Sequence, residues 1–391
     1  MIIDNSPVYD IECLPNIFSL HMEMLFDSTS STWEISEFRD DRRELLTWLD
    51  WLMRTQTPMV AFNNINYDYP MLHYLWQNQN ATYHDLYKKS QSIVTNFHDR
   101  FSHIIWDRDR FAPQIDLFRI HHFDNKAKTT SLKALQINMR LDNVVENELG
   151  FDRPLTKHEI DTILIPYNKS DVSSTKAFAH HSMQAIQFRL ALVDQFGVDV
   201  MNWNDSKIGS KILEQRLGDE LCYDRSSGRR QIRQSPRTRV ALKDIIFPFI
   251  RFENPEFRRV HEYMCSQVLT PADLEETEYK VAKLQTKGVF AGLHANVAGV
   301  KFAFGTGGIH GSIEKQRVIA GHGYIIRDID VASLYPSIAI VNNIYPEHLG
   351  EAFTREYAKL PQERKEWQKK KGKKCVEANS LKLARNGTYG N

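Results

Sequence analysis

The spacing of apolar residues changes along the chain, and each change predicts a different element. Val8-Tyr-Asp-Ile-Glu12 is a short apolar run, and Ile17-Phe-Ser-Leu20 follows it after a Pro-Asn turn, which predicts a β-hairpin. Leu45, Trp48, Leu49 and Leu52 recur at i, i+3, i+4 and i+7, the signature of an amphipathic helix. Met59-Val-Ala-Phe62 reads as a buried strand ending in polar Asn63 and Asn64, and Gln114-Ile-Asp-Leu-Phe118 as another short strand. A long helical stretch is expected from Ser170 to about Gln195. Strands and helices in this mixture, with acidic residues at strand ends, predict an α/β domain with its site at the sheet edge.

Beyond it, Asp205 to Leu217 and Glu275 to Lys287 read as helices. From Glu351 the chain is rich in helix formers and in Lys and Arg, broken at Gly372, which predicts two helices and a short turn. Between these lie two irregular stretches. One holds six arginines (Arg225, Arg229, Arg230, Arg233, Arg237 and Arg239) among turn residues, and it reads either as a solvated loop or as a contact to phosphates. The other, Phe304-Gly-Thr-Gly-Gly-Ile-His-Gly311, lies too far from a following helix to be a dinucleotide fingerprint. No internal repeat is seen.

Composition narrows the class. The 391 residues are 25% charged and 11% aromatic, as in a folded enzyme of two or three domains, and unlike a disordered chain. Net charge is +1, so any nucleic-acid surface must be local. Cys13, Cys222, Cys265 and Cys375 form no CxxC pair, which argues against a zinc site or a disulfide framework and suits a reducing compartment. No apolar run approaches about 18 residues and no signal-peptide pattern opens the chain, so a cytoplasmic location is expected.

Three patches near the N-terminus form one chemical set. Asp10 and Glu12 share one face of a strand, two carboxylates that repel each other unless cations sit between them. Asn63-Asn-Ile-Asn66-Tyr-Asp68 is a polar cluster after a buried strand. Tyr167 and Asp171, four apart, share a helix face. In this order the patches resemble the Exo I, Exo II and Exo III motifs of DEDDy 3′–5′ exonucleases, with Asp116-Leu117 and Ser131-Leu-Lys133 in the places of further family features. The resemblance implies two Mg²⁺ or Mn²⁺ ions per active site, held by Asp10, Glu12, Asp68 and Asp171 around a scissile phosphate. It implies that Tyr167 orients the attacking water, and that Asn63 or Asn66 holds the DNA end.

A second set lies near the other end. Asp328-Ile-Asp330-Val-Ala-Ser333-Leu334-Tyr335-Pro-Ser337 reads as a strand running into a tight turn. Lys382-Leu-Ala-Arg-Asn386-Gly-Thr-Tyr389-Gly390 puts Lys382, Asn386 and Tyr389 on one helix face. The two stretches resemble motif A and motif B of family B DNA polymerases, with Gly387 where Ser is usual. The resemblance implies that Asp330 binds both metals of a polymerase site, with Asp328 a neighbour. By the same resemblance the N–H groups of Ser333 and Leu334 hold triphosphate oxygens, and Tyr335 is the steric gate against a ribose 2′-OH. Lys382 and Arg364 would meet the triphosphate, Asn386 and Tyr389 would line the nascent base pair, and Gly307-Gly308 would lie near the template.

The expected architecture is therefore an RNase H-like exonuclease domain over 1–195 and a connecting region over 196–295. An incomplete palm follows over 296–350, then a two-helix fingers region over 351–391. The expected activity is that of a DNA-directed DNA polymerase part, a nucleotidyltransferase for DNA replication, with a proofreading exonuclease. It would act on primer-template DNA, single-stranded 3′ ends and dNTPs. The nearness of Asp10 to the start, and the short interval from Asp330 to Lys382, point to a primer-using bacteriophage type. The family's Asp-Thr-Asp strand is not seen, so a second polypeptide carrying it and the thumb is expected. The alternatives are a stand-alone exonuclease that binds DNA and an inactive truncated product.

Overall fold

The computed structural model describes residues 3–95, 102–125, 128–142, 144–145, 149–150, 152–270, 287–305, 308–313, 315–331 and 333–387. Gly307, Tyr389 and most of the expected 275–287 helix lie outside the described residues. The chain is a mixed α/β protein that divides into two compact units, Met1–Gly218 with Thr354–Asn391, and Asp219–Phe353. The pair of C-terminal helices thus belongs with the N-terminal unit.

The first unit is built on a five-stranded sheet. Its strands are β1 (Pro7–Leu14), β2 (Ile17–Met24), β3 (Ser30–Ser36), β4 (Met59–Ala61) and β5 (Gln114–Asp116), in the order β3-β2-β1-β4-β5. β1, β2 and β3 form an antiparallel meander, while β4 runs parallel to β1, and β5 parallel to β4. Alternation sends neighbouring side chains to opposite faces. Tyr9, Ile11, Met59 and Ala61 enter a core with Leu45, Leu49 and Leu52 of helix α1 (Arg42–Thr55) and Met71, Leu72 and Leu75 of α2 (Asp68–Gln77). Val8, Val60 and Ile115 enter a second core with Val172, Phe178 and Ala179 of α3 (Ile165–His181) and Ile186 of α4 (Met183–Phe196). The sheet is therefore covered on both faces.

Side chains divide one expected element and shorten another. The helical stretch expected from Ser170 is present as two helices divided at Ser182, whose hydroxyl donates to Phe178 O at 2.7 Å and contacts His121 Nε2 at 2.8 Å. That hydroxyl competes for a helix carbonyl, and α3 gives way to α4 there. The expected strand to Phe118 stops at Asp116, whose carboxylate caps the helical turn Leu117–Ile120 by accepting from Phe118 N at 3.0 Å. β5 lies at the sheet edge, and the Asn202 amide serves it like a short strand. Its Nδ2 donates to Gln114 O at 2.7 Å, and its Oδ1 accepts from Asp116 N at 2.8 Å.

The same unit holds α5 (Asp205–Leu217), α6 (Gly350–Lys371, of which Thr354 onward belongs here) and α7 (Val376–Gly387). The two helices and turn expected from Glu351 are present as α6 and α7. α7 packs on α5 almost backbone to backbone, because a glycine faces each side. A Cβ at Gly209 would lie 2.3 Å from Leu383 O, and one at Gly387 would lie 2.9 Å from Ser206 Cα. A serine at 387 has no room, which accounts for glycine there. Gly387→Ser is expected to cost about 1–3 kcal/mol by overpacking, read as a lowered urea midpoint at unchanged slope.

The second unit contains an antiparallel sheet of β6 (His294–Val297), β7 (Val300–Gly305) and β8 (Gly308–Ser312), packed through Ala295 and Phe304 on Val260 of helix Pro255–Ser266. The segment that resembles motif A departs from expectation. Asp328, Ile329 and Asp330 form no strand and are exposed. A strand needs a hydrogen-bonded neighbour, and among the described residues none pairs with this segment. Ile325, Ile326, Ile329 and Val331 accordingly stand in solvent. The expected tight turn is instead the start of helix Leu334–Val341, entered through Ser333 at φ 59°.

Three of the six arginines in the arginine-rich stretch are paired with acids. Arg225 and Arg230 both reach Asp219 at 2.7 Å, Arg230 stacks on the Tyr223 ring at 3.4 Å, and Arg237 reaches Glu347 at 2.9 Å. Pairing within the protein leaves these three less available to phosphates, which favours the solvated-loop reading.

Candidate active site

The C-terminal ends of the parallel strands gather the first expected set. Asp10 and Glu12 share the face of β1 that carries Val8, and they lie beside α3. Asp68 opens α2 and is buried, with Oδ1 accepting from Ile11 N at 3.3 Å, so it is tied to the backbone between Asp10 and Glu12. Asp171 and Tyr167 sit one turn apart on α3. Asn168, fully buried on the same helix, donates from Nδ2 to Asp10 Oδ2 at 2.7 Å.

Packing carboxylates together without counter-charge makes each resist ionisation. Burial, then the charges of Asp68, Glu12 and Asp171, push Asp10 well above the usual carboxylate range. Burial, then Asp171 and Asp68, raise Glu12 to about 8, against the pull of Lys133. Burial raises Asp68 to about 7. The Tyr167 phenol is raised as well, by burial and then by Asp171 and Glu12.

One cation already stands in the cluster. Lys133, on the helix Leu132–Asn138, donates to Asp171 Oδ1 at 2.7 Å and to Val145 O at 2.6 Å, and lies 4.4 Å from the centre of the Tyr167 ring. Gln136 Nε2 adds a bond to the same Asp171 oxygen at 3.0 Å. Among the described residues, no three His, Cys, Asp or Glu side chains stand as a formed metal site. The donor chemistry nonetheless fits a hard divalent cation: all oxygen, largely buried, self-repelling, and only partly offset by the Lys133 ammonium.

The polar cluster after β4 is organised by Asp116, which the sequence reading placed among the family features without giving it this role. Fully buried at the end of β5, it accepts from Asn63 N at 2.9 Å and Ile65 N at 3.4 Å. These bonds hold Asn63 at φ 64° and the turn Asn64–Asn66 against the sheet. Burial raises Asp116 to about 6, opposed by Arg119, whose Nε lies 3.8 Å away. Arg119 Nη2 donates to Asn66 Oδ1 at 3.0 Å, and Asn66 Nδ2 donates to Asn63 Oδ1 at 2.6 Å. Both polar ends of the Asn66 amide thus have protein partners, and Arg119 presents a guanidinium beside it. Its signal in the sequence is only a basic residue three places after Asp116.

The second expected set divides between the units. Asp330, Ser333, Leu334, Tyr335 and Gly308 lie in one, and Arg364, Lys382 and Asn386 in the other. Gly308 and Tyr335 are brought together: a Cβ at Gly308, where φ is 134°, would lie 3.3 Å from the Tyr335 hydroxyl. Lys382 and Asn386 are both exposed, one turn apart on α7.

No protein-family model matches the chain, and no curated protein matches it either. No helix among the described residues is long and apolar enough to cross a membrane. Among solved structures, the chain is similar to the family B DNA polymerase from the hyperthermophilic archaeon Pyrobaculum calidifontis, at 13% identity and a TM-score of 0.42. The similarity covers 98% of this chain and 46% of that one, so the chain spans less than half the length of that polymerase.

Proposed function

We propose that the first unit is a divalent-metal-dependent 3′–5′ exonuclease of RNase H-like fold, working as the proofreading part of a family B DNA polymerase of the bacteriophage type. The observation that carries this reading is the convergence of Asp10, Glu12, Asp68 and Asp171, from β1, α2 and α3, on one spot where burial and then the charges of Asp68 and Asp171 raise Asp10 and Glu12. The strand order, a meander extended by two parallel strands, supports it.

Those four carboxylates would hold Mg²⁺ or Mn²⁺, which supplies charge neutralisation for an in-line displacement at the 3′-terminal phosphodiester. The chain's own residues do the rest. Tyr167, kept protonated by burial and then by its acidic neighbours, directs its hydroxyl to the attacking water. Water adds to phosphorus, the 3′-oxygen leaves with a proton, and a nucleoside monophosphate is released. Lys133 holds Asp171 in place and offsets part of the negative charge. Asn63, Asn66 and Arg119 form the rim that meets the DNA end. On the same reading, Asp330, Ser333, Leu334 and Tyr335 of the second unit bind metal and nucleotide, and Arg364, Lys382 and Asn386 of the first unit bind nucleotide.

A 5′-labelled single-stranded oligonucleotide is expected to shorten stepwise from its 3′ end when the purified chain and Mg²⁺ are present. Shortening should stop with a chelator and resume with excess Mn²⁺. Products that keep full length under every condition would refute the nuclease reading.

A further inference from the structure

Among the described residues, two arginines on neighbouring helices of the first unit stand without a counter-charge. Arg364 lies on α6 and Arg385 on α7, and the two helices are tied where the Tyr357 hydroxyl donates to Arg385 O. Arg385 is only 8% exposed, and the Nε atoms of both arginines are buried with no hydrogen-bond partner. Acids on the same two helices are paired with other residues. Glu363 takes a two-pronged bond from Arg216, Glu356 pairs with Lys359 at 2.5 Å, and Glu377 pairs with Lys371 at 2.5 Å.

An arginine cannot shed its proton to escape burial. An uncompensated buried charge is costly, and a neighbouring like charge adds to the cost. Burial and then the Arg364 charge hold the Arg385 guanidinium below its ordinary range. A fold that keeps such a pair gains from an anion that enters between the two. Guanidinium forks match tetrahedral oxyanions with paired hydrogen bonds, and Lys382 adds an exposed ammonium one turn before Arg385.

We propose that Arg364 and Arg385 form a binding site for a phosphate group, with Arg385 a contact that no polymerase motif marks. The inference extends the reading of Arg364 as a triphosphate contact and is independent of the nuclease centre. The phosphate could come from a nucleotide tail or from a DNA backbone, and both share this chemistry.

The test is isothermal titration of the full chain in chelator, with pyrophosphate, dTTP, an unphosphorylated dT octamer and thymidine. Pyrophosphate is expected to bind, thymidine not, and Arg385→Met is expected to weaken pyrophosphate at least about tenfold. Without ligand, Arg385→Met should melt at or above the wild-type temperature, because it removes a buried repulsion. Tighter binding of dTTP than of the octamer identifies the nucleotide tail, and the reverse order identifies the backbone. If Arg385→Met does not fold, Arg385→Lys, which keeps the charge and loses the fork, should show the weakened affinity. Wild-type chain that ignores pyrophosphate, or variants that bind it unchanged, would overturn the inference. A chain that degrades DNA without binding pyrophosphate sinks this inference alone, and the converse sinks the nuclease reading alone.

Discussion

Gly209→Val is expected to lose the packing of α7 on α5, at a cost of more than about 3 kcal/mol. Even one added carbon at 209 would stand 2.3 Å from Leu383 O, 2.8 Å from Leu383 C and 3.2 Å from Ala384 N. These are backbone atoms of a helix, so no rotamer change relieves the clash. The helices must part, and parting exposes Ala378, Leu381 and Ala384 on one side and Ile208, Ile212 and Leu213 on the other, all now buried. The damage should stay local, because the carboxylate cluster stands on β1, α2 and α3. Hydrogen exchange should show residues 376–387 losing protection while β1, β2 and β4 keep theirs. Protection of α7 equal to wild type would mean that the two helices do not approach this closely in solution.

The parts of the fold that could be read from sequence are those set by local period. The hairpin from Val8 to Leu20, the helix carrying Leu45, Leu49 and Leu52, and the two C-terminal helices all follow from spacing, and all are present. What escaped depends on particular side-chain hydrogen bonds and on partners distant in sequence. Ser182 breaks a helix by bonding Phe178 O, while Asp116 ends a strand because its carboxylate is worth more as a cap and as the anchor of the Asn63 loop. Gly209 and Gly387 look like flaws in helical segments until two backbones are seen to meet there. The motif A segment fails in the opposite sense. Its apolar residues suit a strand, but with no neighbour among the described residues its backbone has nothing to pair with. The four acidic residues of the first site were legible because their types and order carry chemistry. Lys133 was visible only as part of a short segment, and its place between Asp171 and the Tyr167 ring is a property of the fold.

Replacing Asp10 by Asn and Glu12 by Gln should abolish nucleolytic activity and yet stabilise the metal-free protein at alkaline pH. Loss of two charged ligands should reduce the rate on the order of a hundredfold or more. The stability gain follows from the raised carboxylates. Glu12 titrates at about 8 in the folded chain and near the ordinary value of about 4.3 when unfolded. Below the unfolded value both states hold the proton. Between the two values the folded chain keeps a proton that the unfolded chain has lost, so stability falls as pH rises through this window. Asp68, at about 7, adds to the same slope from about 3.9 upward. In chelator the wild-type melting temperature should therefore decline between pH 5 and 8 and level off above it, once other groups are accounted for. The double variant removes two of the repelling charges, so its decline should be shallower and its melting temperature higher at pH 8. Mg²⁺ should raise the wild type at pH 8 and leave the variant nearly unmoved, since the ion replaces the protons that the variant no longer needs. Equal slopes for the two proteins would show that the carboxylates are not crowded together in solution, and the candidate site would lose its physical basis.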